Sequence, residues 1–266
     1  DLGAGHPFRG DRFANVMRLF EEQGLFRLPS VILLKPRSAI RQDLLRVHDE
    51  EYVDLIFRLA ELSQPYDIET PVSPEILEAA LLVIGGAMEA GGAIYGGKVD
   101  RAVALGCGYH HAGRNYGGGF CLLNDVAVLV EYLRERYGVK RALIVDYDVH
   151  FGNGTSDIYY SDPNVLYISL HQDPRTLYPG IGFVEQIGEG AGEGYNVNVP
   201  LPPGTRDETY LQALKEIFVP LAEEFKPEIV LANGGSDSHF ADMLGSLGLT
   251  VKGFFELSRT VVGVAE

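Results

Sequence analysis

The sequence predicts an α/β protein: an open, doubly wound, mostly parallel sheet with helices on both faces. A short apolar run at 143–145 reads as a strand buried on both faces, 165–170 as a strand alternating into a polar end at His171, and 229–232 as another buried strand. From residue 76 onward such runs alternate with stretches of helical periodicity, the pattern of a parallel sheet joined by crossover helices. Polar residues with chemistry to offer cluster where the runs end, and ligands of such sheets sit beyond the carboxyl ends of the strands.

Taken in order, Gly3, Gly5, His6, Pro7 and Arg9 have a loop composition. Asp11 can cap a helix with Phe13, Val16, Met17, Leu19 and Phe20 as its apolar positions, and Gly24 can stop it. Residues 41–62 read as one helix with Val47, Tyr52, Val53, Ile56 and Leu59 toward the core, and His48 as a capping or packing residue. Ser73, Pro74 and Glu75 begin a helix, and 76–95 is rich in Ala, Leu and Gly, as suits a tightly packed helix; Glu78 and Glu89 argue against a membrane span. Residues 102–105 read as a short buried strand, 126–137 as a helix capped by Asn124 and Asp125, and 195–199 as a strand. Residues 207–225 and 254–266 read as helices, and 173–194 as a Gly- and Pro-rich loop.

The composition narrows the function. The 266 residues are 46% hydrophobic and 22% charged, ordinary for a soluble globular chain. A net charge of -15 argues against general nucleic-acid binding. It suits a cationic substrate, although acidic surfaces also serve solubility. Two cysteines, Cys107 and Cys121, make no disulfide framework, so a reducing, cytoplasmic setting is expected. Neither a signal peptide nor a membrane partner is expected. No linker or repeat interrupts the chain, so residues 1–266 are expected to form a single catalytic domain, cut at its C-terminal side.

The chemistry concentrates in IVDYDVHFGNG, residues 144–154. Asp146, Asp148 and His150 alternate, so an extended strand would turn all three to one side. Two carboxylates and an imidazole at a buried strand end cost too much desolvation for ordinary core, and a divalent metal would explain them; a salt-bridged strand end is the alternative. Asp148, His150 and Asp237 would supply two carboxylates and one imidazole and leave a coordination position open, as in catalytic zinc sites. His110 and His111 follow a buried run and precede a glycine-dense loop, where imidazoles could take and give protons. Asp146 and Asn153 are candidates to orient them, although a chance histidine doublet is the plainer reading.

Several stretches match one family: RVHDEEYV at 46–53, YHHA at 109–112, GFCLLND at 119–125, DYDVHFGNG at 146–154, YPG at 178–180, GEGAGEGY at 188–195 and the segment 234–250. Together they resemble the histone deacetylase superfamily, nearest its bacterial and archaeal deacetylase-like, acetoin-utilisation and acetylpolyamine amidohydrolase branch. The resemblance implies an arginase/deacetylase-like fold and a zinc-dependent amidohydrolase that removes acyl groups from lysine-like or polyamine amines. Ferrous iron would also accept this ligand set. By position, Asp148, His150 and Asp237 match the metal ligands, His110 and His111 the general base and acid, and Asp146 the carboxylate behind His110. Asn153 stands where many relatives have Asp. Gly119, Phe120, Tyr178 and Leu244 match the substrate tunnel, with Leu177 where an aromatic is often found. Glu69 falls near an acidic residue that grips the substrate backbone. Asp146, Asp148, His150, Ser169 and Leu170 match a structural potassium site.

The family's transition-state tyrosine follows a later glycine-rich turn, and only Phe240, Phe254 and Phe255 are aromatic after Asp237. Truncation is the expected explanation; a weakly active or non-catalytic acyl-lysine or polyamine binder is the alternative. An arginase-type site with two manganese ions is disfavoured, because Gly152 and His239 stand where such relatives place Asp.

Overall fold

Four strands form the sheet: β1 (Ala142–Asp146), β2 (Val165–Gln172), β3 (Asn196–Leu201) and β4 (Ile229–Asn233). All pair in parallel, in the order β3-β2-β1-β4. β1 and β2 are buried throughout, whereas β4, at the sheet's edge, leaves Ala232 exposed. The chain adds β2 and β3 on one side of β1, then crosses to lay β4 on the other. The carboxyl ends of β1 and β4 therefore flank the point where the winding reverses, the usual ligand position in open α/β sheets.

The computed structural model describes residues 10–266, so the loop expected over Gly3, Gly5, His6, Pro7 and Arg9 lies outside the described residues. It divides into two compact units, 10–109 with 114–133, and 110–113 with 134–266. In the first unit, α1 (Asp11–Glu22) follows Gly10, so Asp11 lies in the first turn rather than at the cap, and no residue of the helix is buried. Gly24, at φ 72°, ends it as expected. The single helix expected over 41–62 is two, α2 (Arg41–Leu44) and α3 (Glu50–Leu62). Asp49 breaks it by turning extended and donating its N–H to the Arg114 carbonyl. His48 is buried and accepts the Asn124 N–H at 3.0 Å, a packing role.

α4 (Pro74–Tyr95) begins where Ser73 Oγ accepts the Ile76 N–H. By length and composition alone it could cross a bilayer, a test that packed core helices also pass, and 44% of its most apolar window is buried. Leu77, Ala80, Ile84, Ala87, Met88 and Gly91 recur every three or four residues as a buried stripe. Gly85 lies against the Arg37 carbonyl and Gly91 against Leu129 and Leu133, which accounts for the small residues. The strand expected at 102–105 is absent: Val103 is 82% exposed and the segment joins no ladder. A four-residue apolar run does not identify a strand without a partner. Asn124 Oδ1 caps α5 (Asp125–Tyr137) by accepting the Ala127 N–H, while Asp125 instead accepts the N–H groups of Gly108 and Tyr109.

In the second unit, Leu143, Val145, Leu166, Ile168 and Leu170 point to one sheet face. They form a core with Tyr210, Leu214, Phe218, Leu257 and Val261. These come from one helical stretch and from a later helix. The stretch comprises α7 (Asp207–Ala213), a π turn (Leu214–Phe218) and α8 (Val219–Phe225), numbered after α6 (Asn153–Tyr159); the later helix is α9 (Val251–Ala265). The π turn precedes Pro220, which has no N–H to give and crowds the preceding turn. The opposite face carries Ile144, Asp146, Tyr167, Ser169 and His171, all buried, and α6 lies on that side of β2. Sequence reading passed over α6, a seven-residue helix reading NGTSDIY, whose only large apolar side chains are Ile158 and Tyr159 at its end.

Candidate active site

β1 ends at Asp146, and residues 147–150 form a turn, so the pleat does not align Asp146, Asp148 and His150 as expected. Asp146 Oδ1 accepts the Asp148 N–H at 3.2 Å, and Asp148 Oδ1 accepts the His150 N–H at 2.8 Å, which bends the backbone instead. Asp237 arrives from the segment after β4, its Oδ1 accepting the Val149 N–H at 2.9 Å. His150 Nδ1 then lies 3.0 Å from Asp148 Oδ1 and 3.1 Å from Asp237 Oδ2. Among the described residues, these three form the one group of side chains whose donor atoms converge, within 4.8 Å of one another.

Two carboxylate oxygens and one ring nitrogen, each partly buried, fit a divalent cation of zinc or ferrous-iron type. Burial disfavours charge on His150, but the two carboxylates overcome it and lift its pKa to about 10. A cation must therefore displace a proton to bind. His239 points elsewhere: its ring lies 4.4 Å from Phe240 and 6.4 Å from Phe254, centroid to centroid. A Cβ at Gly152 would stand 2.9 Å from His110 Nδ1 and 2.5 Å from Asp146 Oδ2, so this glycine is required by close approach. A second-metal carboxylate has no space there.

The imidazole pair belongs to the same unit. His110 Nδ1 is 2.8 Å from Asp146 Oδ2, and its Nε2 is 3.8 Å from Asp148 Oδ1. His111 Nδ1 is 2.7 Å from Asn153 Oδ1, and Thr155 donates its N–H to the His110 carbonyl, so the start of α6 holds both residues. Both rings are buried, with centroids 4.1 Å apart. Burial opposes charge on His110, but Asp146 and Asp148 raise its pKa to about 9. His111 moves the other way: burial, then the neighbouring His110, push it well below the usual imidazole value, and the Asn153 bond only partly offsets this. Two carboxylates thus raise one imidazole while burial and its neighbour lower the other, and the adjacent pair is driven apart.

Tyr178 sets its ring edge-on to His111 at 4.9 Å and lies 6.4 Å from His150, over the convergent group. Leu177 packs against the core, and Leu244 is half-buried in the loop after β4, its N–H given to Asp242 Oδ1. Ser169 neighbours Asp146 in the sheet register, and its Oγ lies 2.8 Å from His171 Nδ1. The Leu170 carbonyl accepts the Tyr210 hydroxyl.

In the other unit, Gly118 and Cys121 exchange backbone hydrogen bonds around Gly119 and Phe120, whose φ values are 51° and 70°. This tight turn forces an aromatic residue into the left-handed region, a cost of about 1–3 kcal/mol. Glu69 is exposed on a turn organised by Asp67, whose Oδ1 accepts the N–H groups of Glu69 and Thr70. Sequence reading missed Tyr167 and Asn233: the Tyr167 hydroxyl donates to Asp146 Oδ2 at 2.8 Å and Asn233 Nδ2 to Asp146 Oδ1 at 2.9 Å. Each looks like an ordinary strand residue, and only pairing with β1 brings it to the carboxylate.

The family profile for the histone deacetylase domain matches residues 6–266. The protein named "Probable deacetylase" of Archaeoglobus fulgidus is 42% identical over 265 residues, 98% of this chain and 72% of that protein. The acetoin utilization protein AcuC of Bacillus subtilis is 32% identical over 263 residues, 96% of this chain and 67% of that protein. A crystal structure of an HDAC homolog complexed with SAHA matches with a TM-score of 0.91 at 32% identity, covering 99% of this chain and 72% of that one.

Proposed function

From the premise that the chain belongs to the histone deacetylase family, we propose that it is a metal-dependent amidohydrolase that removes acetyl or related acyl groups from lysine-like or polyamine amines. The observation that carries this reading is the convergence of Asp148, His150 and Asp237 beside two buried, oppositely tuned imidazoles. When bound, a zinc or ferrous ion supplies Lewis-acid polarisation of the acyl carbonyl, makes water acidic enough to attack near neutral pH, and cancels the Asp148 charge that otherwise favours a proton on His110.

Asp146 holds His110 through Nδ1 and leaves Nε2 as the nitrogen that takes a proton from the attacking water. His111, tied through Nδ1 to an amide oxygen, presents Nε2 to the departing amine. Its neutral form is favoured, with the ring proton on Nδ1 facing Asn153, so Nε2 must first take up a proton from the site before it passes that proton on to the amine, which it then does readily. Tyr178 walls this space on the side of His111, and Gly119, Phe120, Leu244 and Glu69 are the proposed remaining substrate contacts, the strained turn at Phe120 supporting a role for that ring. A structural potassium ion is proposed at Asp146, Asp148, His150, Ser169 and Leu170, on the strength of the register that sets Ser169 beside Asp146. The formal charge of -15 favours a cationic amine, and an acylated small molecule or peptide in the cytoplasm is the proposed substrate.

The test uses the intact protein with acetyl-lysine peptide and acetylpolyamine reporters, alongside metal analysis. One metal equivalent, turnover that chelation abolishes, and loss of turnover in His110→Ala are expected. Full turnover after chelation, or reporter binding without any hydrolysis, refutes the reading.

A further inference from the structure

Asp146 is fully buried and carries more hydrogen bonds than orienting one imidazole requires. Its Oδ2 faces His110 Nδ1 at 2.8 Å and also accepts the Tyr167 hydroxyl at 2.8 Å. Its Oδ1 accepts Asn233 Nδ2 at 2.9 Å and the Asp148 N–H at 3.2 Å. The two side-chain donors come from the strands on either side of β1: β2 supplies Tyr167 and β4 supplies Asn233, the register partner of Asp146. Tyr167 and Asn233 are themselves buried, at 1% and 3% exposure.

The amide orientation of Asn233 is informative. Its Oδ1 is buried with no hydrogen-bond partner among the described residues, an arrangement that folded proteins seldom leave uncompensated. Reversing the amide would set Oδ1 3.1 Å from His110 Nδ1 but also 2.9 Å from the Asp146 carboxylate, oxygen against oxygen, and the closer contact is the repulsive one. The sheet therefore leaves one oxygen unsatisfied to keep an N–H on Asp146. Gly152 adds a second sign of tight fit, because any Cβ there would strike Tyr167 Oη, Asp146 Oδ2 and His110 Nδ1 together.

We propose that Tyr167 and Asn233 are positioning residues that clamp the Asp146 carboxylate from both flanking strands, so that Oδ2 alone is presented to His110 and the ring keeps its proton on Nδ1. Asn233 Nδ2 gives one N–H to Asp146 at 2.9 Å and lies 3.1 Å from His110 Nδ1, so it crowds the ring on the side of β4. The shorter bond of the Tyr167 hydroxyl runs to Asp146, the longer, 3.2 Å, to the Gly152 carbonyl. Without the clamp the carboxylate rotates about its own axis, and the imidazole loses its fixed tautomer and direction. This inference rests on the amidohydrolase reading for its effect on rate, but not for its effect on the ring.

The test compares intact wild-type protein with Tyr167→Phe and Asn233→Leu, using Tyr52→Phe as control. The Tyr52 hydroxyl is equally buried and donates to the Leu122 carbonyl in the other unit. Two readouts are taken: kcat and KM on an acetyl-lysine reporter, and the nitrogen-15 imidazole spectrum of His110. Each clamp variant is expected to lower kcat about 10-fold or more with KM within about twofold, the usual size of an outer-shell effect. The slowly exchanging Nδ1–H signal of His110 should be lost or broadened in both, and unchanged in Tyr52→Phe. Retention of that signal in both clamp variants overturns the inference, as does equal loss of kcat in the control. If wild-type protein hydrolyses no acylated amine, the amidohydrolase reading fails by itself, and the Nδ1–H signal still decides the clamp. Tyr167→Phe deletes one oxygen, so a folding failure of Asn233→Leu leaves the decision with it.

Discussion

Substituting Gly152 by alanine tests whether this position is glycine because of space. At φ -78° the backbone there is open to any residue, so no conformational penalty applies. The added methyl group meets the Tyr167 hydroxyl, lies 2.5 Å from Asp146 Oδ2 and 2.9 Å from His110 Nδ1, and none of these is the free end of a flexible chain. Overpacking of this kind costs about 1–3 kcal/mol. The wedge drives the Asp–His pair apart, and a displacement approaching 1 Å at a catalytic group can cost about 10²-fold in rate. Gly138→Ala is the opposite case: φ is +72° with nothing within 4 Å, so it should cost about 1–2 kcal/mol through backbone strain and leave turnover alone. Denaturant unfolding and steady-state turnover on the same samples separate the two. A folded Gly152→Ala protein with wild-type kcat refutes the claim that this glycine makes room for the dyad.

Replacing Asn153 by Asp sets a carboxylate where an amide oxygen now lies 2.7 Å from His111 Nδ1, and the imidazole pKa should climb from its present low position. An NMR titration of His111 showing no upward movement contradicts this. Asp43 is buried, which alone would raise its pKa, but bonds from Arg37, the Ile40 N–H and Arg46 outweigh burial and hold it below the ordinary carboxylate value. Its folded-state pKa is therefore below its unfolded one, so its contribution is complete above about pH 4 and is lost as the pH falls through the folded value. Unfolding free energies measured across this range should decline less steeply in Asp43→Asn than in wild type; identical slopes would remove Asp43 from the account. Phe218, fully buried beneath β1 and β2, should cost about 3–5 kcal/mol when cut to alanine. A loss below about 1 kcal/mol by urea unfolding would show that the packing around the π turn collapses to fill the space.

Much was legible in the residues themselves. Apolar runs closed by Asp146 and His171 announced buried parallel strands, whereas the similar run before Asn233 is an edge strand with Ala232 exposed, a difference that depends on its neighbours. The alternation of these runs with helices implied the doubly wound sheet, and the motifs at 109–112 and 146–154 pointed to the family. Errors fell where local pattern was asked to decide a long-range matter. Residues 102–105 are apolar but have no neighbouring strand, and residues 41–62 keep helical periodicity across a break that a backbone bond to Arg114 enforces.

Residue types and their order determined which groups are available: three side chains able to hold a metal, two adjacent imidazoles, and an Asp and an Asn to tell those imidazoles apart. Tertiary structure alone decided which atoms meet. Asp237 reaches His150, and Asn233 reaches Asp146, only because β4 crosses over to pair with β1, some 87 residues away along the chain in both cases. Period and composition act over a few residues, whereas desolvation and hydrogen-bond direction act through space, and no local pattern in the sequence carries that distance.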